Sequence, residues 1–494
     1  MDKIFQINPA DNVAVAIEDL KSGDTAGAGG KTVAVREDIR AGHKVALRDI
    51  APSENIVKYG FPIGTASSAI PAGAWVHTHN VKTRLGDLLE YSYHPAFRPL
   101  PSVPPRTFQG YRRKDGSVGI RNEVWIIPTV GCVNAVVREI ERESQEFLTP
   151  EIDGVFSYTH PYGCSQLGED LGNTQKALAG LIRHPNAGAV LVVGLGCENN
   201  TLDQMKEALG AYDEDRVKFL ICQEHEDEVA DGVELVRQLC GYAAQFRREP
   251  CTADKLVVGL KCGGSDGFSG ITANPLVGAF SDRLVAQGGT AVLTEVPEMF
   301  GAETLLMDRC KDKAVFDKTV ALINNFKQYF IDNHQEIDSN PSPGNKAGGI
   351  TTLEDKSLGC VQKGGTAPVS DVLVYGQPVA RKGLNLLQAP GNDLVAAAAL
   401  AVSGAHMVLF TTGRGTPFGC PVPTVKVSSN SNLARRKADW IDFDAGRLLS
   451  GTDMQTLADE FFTYVLDVAS GAKKAKSESF DKHDLAIFKS GVTL

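Results

Sequence analysis

Short apolar runs recur along most of the chain, spaced so that a helix fits between each pair. Residues 124–127, 155–156, 189–195, 217–221, 256–260, 290–293, 371–375 and 407–410 all read this way. Unbroken apolar runs, rather than an apolar/polar alternation, suit strands buried on both faces of a parallel sheet. The intervening stretches 134–147, 173–183, 226–246 and 276–287 have helical character. Alternation of this kind predicts a doubly wound, Rossmann-like α/β architecture. The first 95 residues differ. Their runs at 12–17, 31–35 and 44–47 are short and separated by Gly and Asp, which predicts a small β-rich unit.

Proline punctuates the change. Residues 96–108 include Pro99, Pro101, Pro104 and Pro105 and read as a semi-rigid linker. A mixed-charge stretch at 247–254 suggests a second boundary. The expected organisation is therefore a β domain over 1–95, a linker over 96–108, one α/β catalytic domain over 109–252 and another over 253–494.

The 494 residues carry a net charge of −10, which disfavours nucleic acid and anionic membranes as partners. No window approaches the ~20 apolar residues of a membrane span, and the amino terminus lacks the apolar core of a secretion signal. Ten cysteines without a CxxC pair fit a reduced, cytoplasmic protein. A homodimer is the expected assembly.

Chemistry gathers at the ends of the apolar runs. Four of them finish in loops where a cysteine stands beside a glycine: Cys132, Cys164, Cys197 and Cys262. Ligands of open α/β sheets bind outside the carboxyl ends of strands, so the four cysteines are expected to share a site. The stretch around Cys262 adds Lys261, Ser265 and Asp266. Its GxSxG match, Gly263 to Gly267, lacks the immediate helix of a nucleophile elbow and reads better as a ligand loop than as a serine hydrolase. His77 and His79 would share one face of an extended strand, with His43 as a third imidazole, and form a second candidate metal site. Glu295, Glu298 and Glu303 follow another strand, and the polar loop 340–356 is too long for a turn. No nucleotide-binding glycine motif is present.

Several of these stretches resemble known families. The I-x-A-G-x-x-V cadence, at Ile39–Val45 and Ile70–Val76, resembles the SAF domain, a small β fold. The segments around His160 to Gln166, Arg183 to Asn200, Cys262 to Pro275, Thr294 to Glu303, Pro341 to Cys360 and Ile487 to Leu494 resemble the altronate/galactarate dehydratase family over essentially the whole chain. The resemblance implies an Fe²⁺-dependent lyase, with Mn²⁺ as the alternative metal, that dehydrates a sugar acid in hexuronate breakdown. Dehydration next to a carboxylate needs a cation, a base for the C2 proton and an acid for the departing hydroxyl.

From that chemistry, His77, His79, Cys132, Cys164, Cys197 and Cys262 are the candidate metal ligands, and a cysteine-held iron–sulfur cluster stays open. His160, Glu198, Asp266 and Glu295 are the candidates for proton transfer. Arg121, Lys261, Lys346 and Arg414 are the candidates for holding the substrate carboxylate. A sugar-acid sensor on the same scaffold is the non-enzymatic alternative.

Overall fold

The computed structural model describes residues 3–86, 88–480 and 483–491, so the end of the Ile487–Leu494 motif lies outside the described residues. The protein is a mixed α/β chain built as a β-rich cap followed by two parallel-sheet units.

In the cap, one turn is used four times. Gly23, Gly42, Ser53 and Gly73 all have positive φ, between 65° and 87°. Each follows an apolar residue by three positions and leads into a short strand. At Gly73 a Cβ would stand 1.8 Å from the Ala34 carbonyl oxygen, so the chain passes there only as glycine. The turns fold antiparallel strands around a small core of Val, Ile and Ala that includes the fully buried Val13–Ala16. The recurrence is staggered, at 19, 11 and 20 residues, which hides it from a search for a fixed period.

Residues 85–106 contain no helix or strand among those described, as their prolines suggest, but they are strapped to the third unit. Tyr91 donates to Glu303 (2.6 Å), Tyr93 to the Cys310 carbonyl (2.6 Å), and the Ala96 amide to Asp308 (2.7 Å).

The second unit has four parallel strands in the order Gly154–Ser157, Glu123–Pro128, Ala187–Gly194, Val217–Ile221. Helices Asn134–Glu143 and Glu228–Ala243 pack together on one face. The stretch at 247–254 contains a strand: Arg248–Thr252 pairs antiparallel with Thr107–Arg112, so the entry to and exit from this unit are tied in one ladder.

The third unit has seven parallel strands. Their order is Val369–Leu373, Gly383–Leu387, Thr290–Leu293, Val257–Cys262, Met407–Thr412, Thr424–Ser428, Phe443–Asp444. The strands that follow Val257–Cys262 up to residue 387 all lie on one side of it, and the later strands lie on the other. The carboxyl end of that strand therefore lies at the topological switch point. The polar stretch 340–356 is not an open loop. Helix Pro343–Ala347 is closed by a capping box of Ser342 and Asn345, and helix Leu353–Cys360 is capped by Thr352.

Candidate active site

Cys262 ends the central strand fully buried. Its neighbours come from two other segments. Glu295 and Glu298 follow strand Thr290–Leu293, where Glu295 takes a left-handed conformation (φ 69°) that turns the chain under the strand end. Lys356, Cys360 and Lys363 lie at helical spacing along Leu353–Cys360 and the turn after it, so one face presents all three.

The three reactive atoms touch one another. Cys262 Sγ stands 3.0 Å from Glu298 Oε2 and 3.4 Å from Cys360 Sγ, and Cys360 Sγ is 3.2 Å from the same carboxylate oxygen. Glu298 turns its other oxygen to Lys356 (2.7 Å). Glu295 accepts from the Cys262 amide (2.8 Å) and lies beside Lys261 (3.1 Å) and Lys363 (3.8 Å). Lys261 also pairs with Asp393 (2.6 Å).

Burial raises the cost of every charge here, and mutual pairing decides which survive. Against burial, Lys356 and Lys363 hold Glu298 down at about 2. A hydrogen bond from Cys360 brings Cys262 down to about 6, while Cys360 itself is pushed well up. Burial, with the charges of Cys262 and Glu298, raises Glu295 well above the carboxylate range. The cluster thus sets an acidified Glu298 and the more acidic of two thiols, Cys262, beside a Glu295 that holds its proton more tightly, among the ammonium groups of Lys261, Lys356 and Lys363. Among the described residues, Cys262, Glu298 and Cys360 are the one set of three or more donors close enough to hold a single metal ion.

The cap closes over this cluster. Asp355, beside Lys356, accepts from Lys44 (2.8 Å) and Lys58 (2.9 Å) of the cap. Lys58 and Tyr59 help line a cavity of about 10 Å³ that reaches Cys360, Lys356, Ser265 and Asp266, room for about one water. Ser265 Oγ is buried there without a hydrogen bond. Asp266 also lines a cleft of about 690 Å³ between the cap and the third unit, which carries Arg414, Arg435 and Arg436. Its carboxylate accepts from Ser269 (2.9 Å) and Ser429 (2.8 Å), and burial raises its pKa.

The structure regroups the residues singled out from sequence. Lys261, Cys262, Asp266 and Glu295 come together, with Arg414 at the cleft and Lys346 half-exposed on helix Pro343–Ala347. Cys132, Cys164 and Cys197 belong to the other sheet, with His160 and Glu198. Arg121 is buried in a pair with Glu478 (2.7 Å).

His77 and His79 do not share a strand face, because the strand Trp75–Val76 ends before them and residues 77–80 form a turn. His79 is exposed. His77 is buried beside His43 (ring centroids 5.1 Å apart) with Nδ1 unpartnered, and burial, helped by Lys44, lowers it to about 4. His43 accepts from Trp75 at Nδ1 (3.1 Å) and faces the Ala347 carbonyl at Nε2 (3.3 Å), so its imidazole sits against the segment leading to Lys356.

Lys356, Cys360 and Lys363 carry no role in the sequence reading, where Glu298 stands only as one of three carboxylates after a strand. The signals were present: two glutamates three apart after a strand, and Lys, Cys and Lys at positions 356, 360 and 363 of one helical face.

A parallel-sheet unit with buried thiols, carboxylates and lysines at its switch point, closed by a β-rich cap, is the scaffold of an enzyme for a small molecule. Comparison with known proteins makes this specific. An altronate/galactarate dehydratase SAF domain model matches residues 2–84. A D-galactarate dehydratase/altronate hydrolase second-domain model matches 110–244, and a D-galactarate/altronate dehydratase C-terminal model matches 253–493. The chain is 56% identical over 493 residues to altronate dehydratase of Escherichia coli (strain K12), covering 99% of each. It is 55% identical over 502 residues to altronate dehydratase of Bacillus subtilis (strain 168), covering 100% of each. Galactarate dehydratase (L-threo-forming) of Escherichia coli (strain K12) is 34% identical over 516 residues, 98% of this chain and 96% of that one. The chain belongs to the altronate/galactarate dehydratase family. No helix among the described residues is long and apolar enough to cross a membrane.

Proposed function

We propose that the protein is an altronate dehydratase, a hydro-lyase converting D-altronate to 2-dehydro-3-deoxy-D-gluconate and water. One observation carries the choice of substrate: identity of 56% and 55% to two altronate dehydratases along the full length, against 34% to a galactarate dehydratase. The ten cysteines are all free, which fits a cytoplasmic setting.

The donor set of Cys262, Glu298 and Cys360 fits a divalent ion, because its donor–donor distances of 3.0–3.4 Å suit ligands arranged around one centre. Two sulfurs favour Fe²⁺ over Mn²⁺, and loading requires Cys360 to give up its proton. A bound ion supplies Lewis-acid stabilisation of charge developing at the substrate carboxylate.

The chain's own residues supply the rest. Arg414, Arg435 and Arg436 draw the anionic acid into the cleft, where Arg414 forms charge-assisted hydrogen bonds to its carboxylate. Asp266, on the wall shared by cleft and inner cavity, takes the proton from C2. Glu295, whose buried, anion-rich setting strengthens its hold on a proton, delivers one to the departing C3 hydroxyl, which leaves as water. The resulting enol takes up a proton at C3, loses the proton of its 2-hydroxyl and becomes the keto acid. The inner cavity admits about one water, so the cap must shift outward for the substrate to reach Glu295.

The test is an anaerobic assay with D-altronate and galactarate supplied separately, with and without Fe²⁺, following keto-deoxy acid. Iron-dependent product from altronate alone is expected. Product from galactarate alone changes the substrate and keeps the chemistry, and binding without turnover marks a sugar-acid sensor.

A further inference from the structure

The dehydration chemistry leaves three thiols of the second unit unused. Cys132, Cys164 and Cys197 are exposed, whereas the other seven cysteines are buried. They follow the strands Glu123–Pro128, Gly154–Ser157 and Ala187–Gly194, which are neighbours in the sheet with Glu123–Pro128 in the middle. Adjacent strands stand about 4.8 Å apart, so the three loops emerge from a sheet edge spanning about 10 Å.

These loops are pinned to one another. The Gly131 amide donates to the Tyr162 carbonyl (2.8 Å), and the Asn200 amide to the Gly163 carbonyl (3.0 Å). Asn134 reaches the His160 carbonyl (2.8 Å), Asn200 Nδ2 the Thr129 carbonyl (3.0 Å), and Asn199 accepts from the Ser165 amide (2.7 Å). The glycines before Cys132 and Cys164 permit this approach. A Cβ on Gly163 would stand 2.0 Å from the Thr129 oxygen, and one on Gly131 would stand 2.9 Å from the His160 oxygen.

Beneath the loops, two buried polar side chains are spent on holding them. Glu198 accepts from Thr129 (2.8 Å) and from the amides of Leu195 (3.0 Å) and Gly196 (2.6 Å). His160 donates from Nε2 to the Pro128 carbonyl (2.8 Å) and accepts at Nδ1 from the Tyr162 amide (3.2 Å). Both ring nitrogens of His160 are thus engaged, and Glu198 ties strand end to loop; both act here as positioning residues. A support of this kind beneath three exposed thiols is what a metal centre requires of its surroundings.

The spacing selects the kind of centre. A single tetrahedral ion needs its sulfurs within about 4 Å of one another, and these three do not gather within even 4.8 Å. A cluster of several metals spreads its ligands further apart. Cys222 follows the fourth strand but is packed in the core of the unit, so the protein offers three thiols here. The Gln223 side chain approaches Cys197 Sγ (3.7 Å), the type of amide contact that tunes cluster sulfurs.

We propose that Cys132, Cys164 and Cys197 hold an iron–sulfur cluster, leaving one iron to a ligand from outside the chain. The assignment does not rest on the dehydratase reading and survives its failure.

The test is to purify the full chain anaerobically, supply Fe²⁺ and sulfide if needed, and measure iron, acid-labile sulfide and the EPR spectrum after reduction. About four irons and four sulfides per chain are expected, as in a cubane. Cys132→Ser, Cys164→Ser and Cys197→Ser should each lose more than nine-tenths of the sulfide while keeping the wild-type circular dichroism. Cys262→Ser should keep it. Failure to take up sulfide, or retention of the cluster in Cys197→Ser with loss in Cys262→Ser, overturns the assignment.

Discussion

Replacing Asp355 by Asn tests how the cap is held over the reactive cluster. The carboxylate accepts from Lys44 (2.8 Å), Lys58 (2.9 Å) and both the amide and hydroxyl of Thr351 (3.1 Å each). All three charged side chains are at most 3% exposed. Two buried cations thus share one anion. The amide keeps the shape but leaves both ammonium groups uncompensated, and breaking a buried pair in this way costs about 3–5 kcal/mol. Lys44 limits the loss, since burial already lowers it to about 8 and it can shed its proton. The cap has its own core and stays attached through residues 85–106, so the expected result is local undocking rather than global unfolding. Hydrogen exchange read by mass spectrometry should show peptides spanning 39–60 and 345–360 exchanging about a hundredfold to a few thousandfold faster, the equivalent of that energy. Peptides from the strand Ala187–Gly194 should be unchanged. Exchange within about threefold of wild type at the cap, or equal acceleration at Ala187–Gly194, would refute the reasoning. The pH dependence has a definite sign. The two ammonium groups hold Asp355 well below the usual carboxylate range, against burial. Its contribution is therefore complete above an unfolded-state pKa of about 4 and is lost as pH falls below that.

Three other outcomes are expected. Glu298→Gln and Cys360→Ser should each lower bound iron and kcat at least about a hundredfold without unfolding the chain, because each removes one of three donors; metal analysis and steady-state kinetics check this. Arg414→Ala should raise KM for the sugar acid about tenfold with kcat within about threefold, the loss of a charge-assisted hydrogen bond from an exposed position. Burial pushes Glu123 up to about 8 although Trp125 donates to it (2.7 Å). The folded chain then binds more protons than the unfolded one between about pH 4.3 and 8, so stability falls as pH rises through that window. Glu123→Gln should flatten that slope in urea titrations at several pH values, and an unchanged slope would assign it to other groups.

Strand ends could be read from the chain, but which ends meet could not. The unbroken runs at 256–260 and 407–410 show themselves as buried parallel strands because both faces must be apolar, and the structure pairs them as neighbours. Lys261 breaks that rule, fully buried in a strand, and is tolerable because the Asp393 carboxylate reaches it from a distant segment, with Glu295 alongside. Such compensation is tertiary and leaves no local mark. The same limit governs the cysteines. Each of the four loops presents the same glycine–cysteine signal, yet Cys262 ends a strand of one sheet and the other three end strands of another.

What remained legible was helical spacing. Lys356, Cys360 and Lys363 are hidden within a stretch that its glycines mark as loop, and the capping residues Ser342 and Thr352 are what convert it to helix. Once that stretch is helical, its cysteine must face whatever its lysines face. Lys356 pairs with Glu298, and Lys363 reaches Glu295. Cys360 therefore arrives at Cys262, and the cap that binds Asp355 on the same helix controls the way in. The cap, through Asp355, and the Cys262–Glu298 cluster, through Lys356 and Cys360, are thus joined on adjacent turns of one short helix.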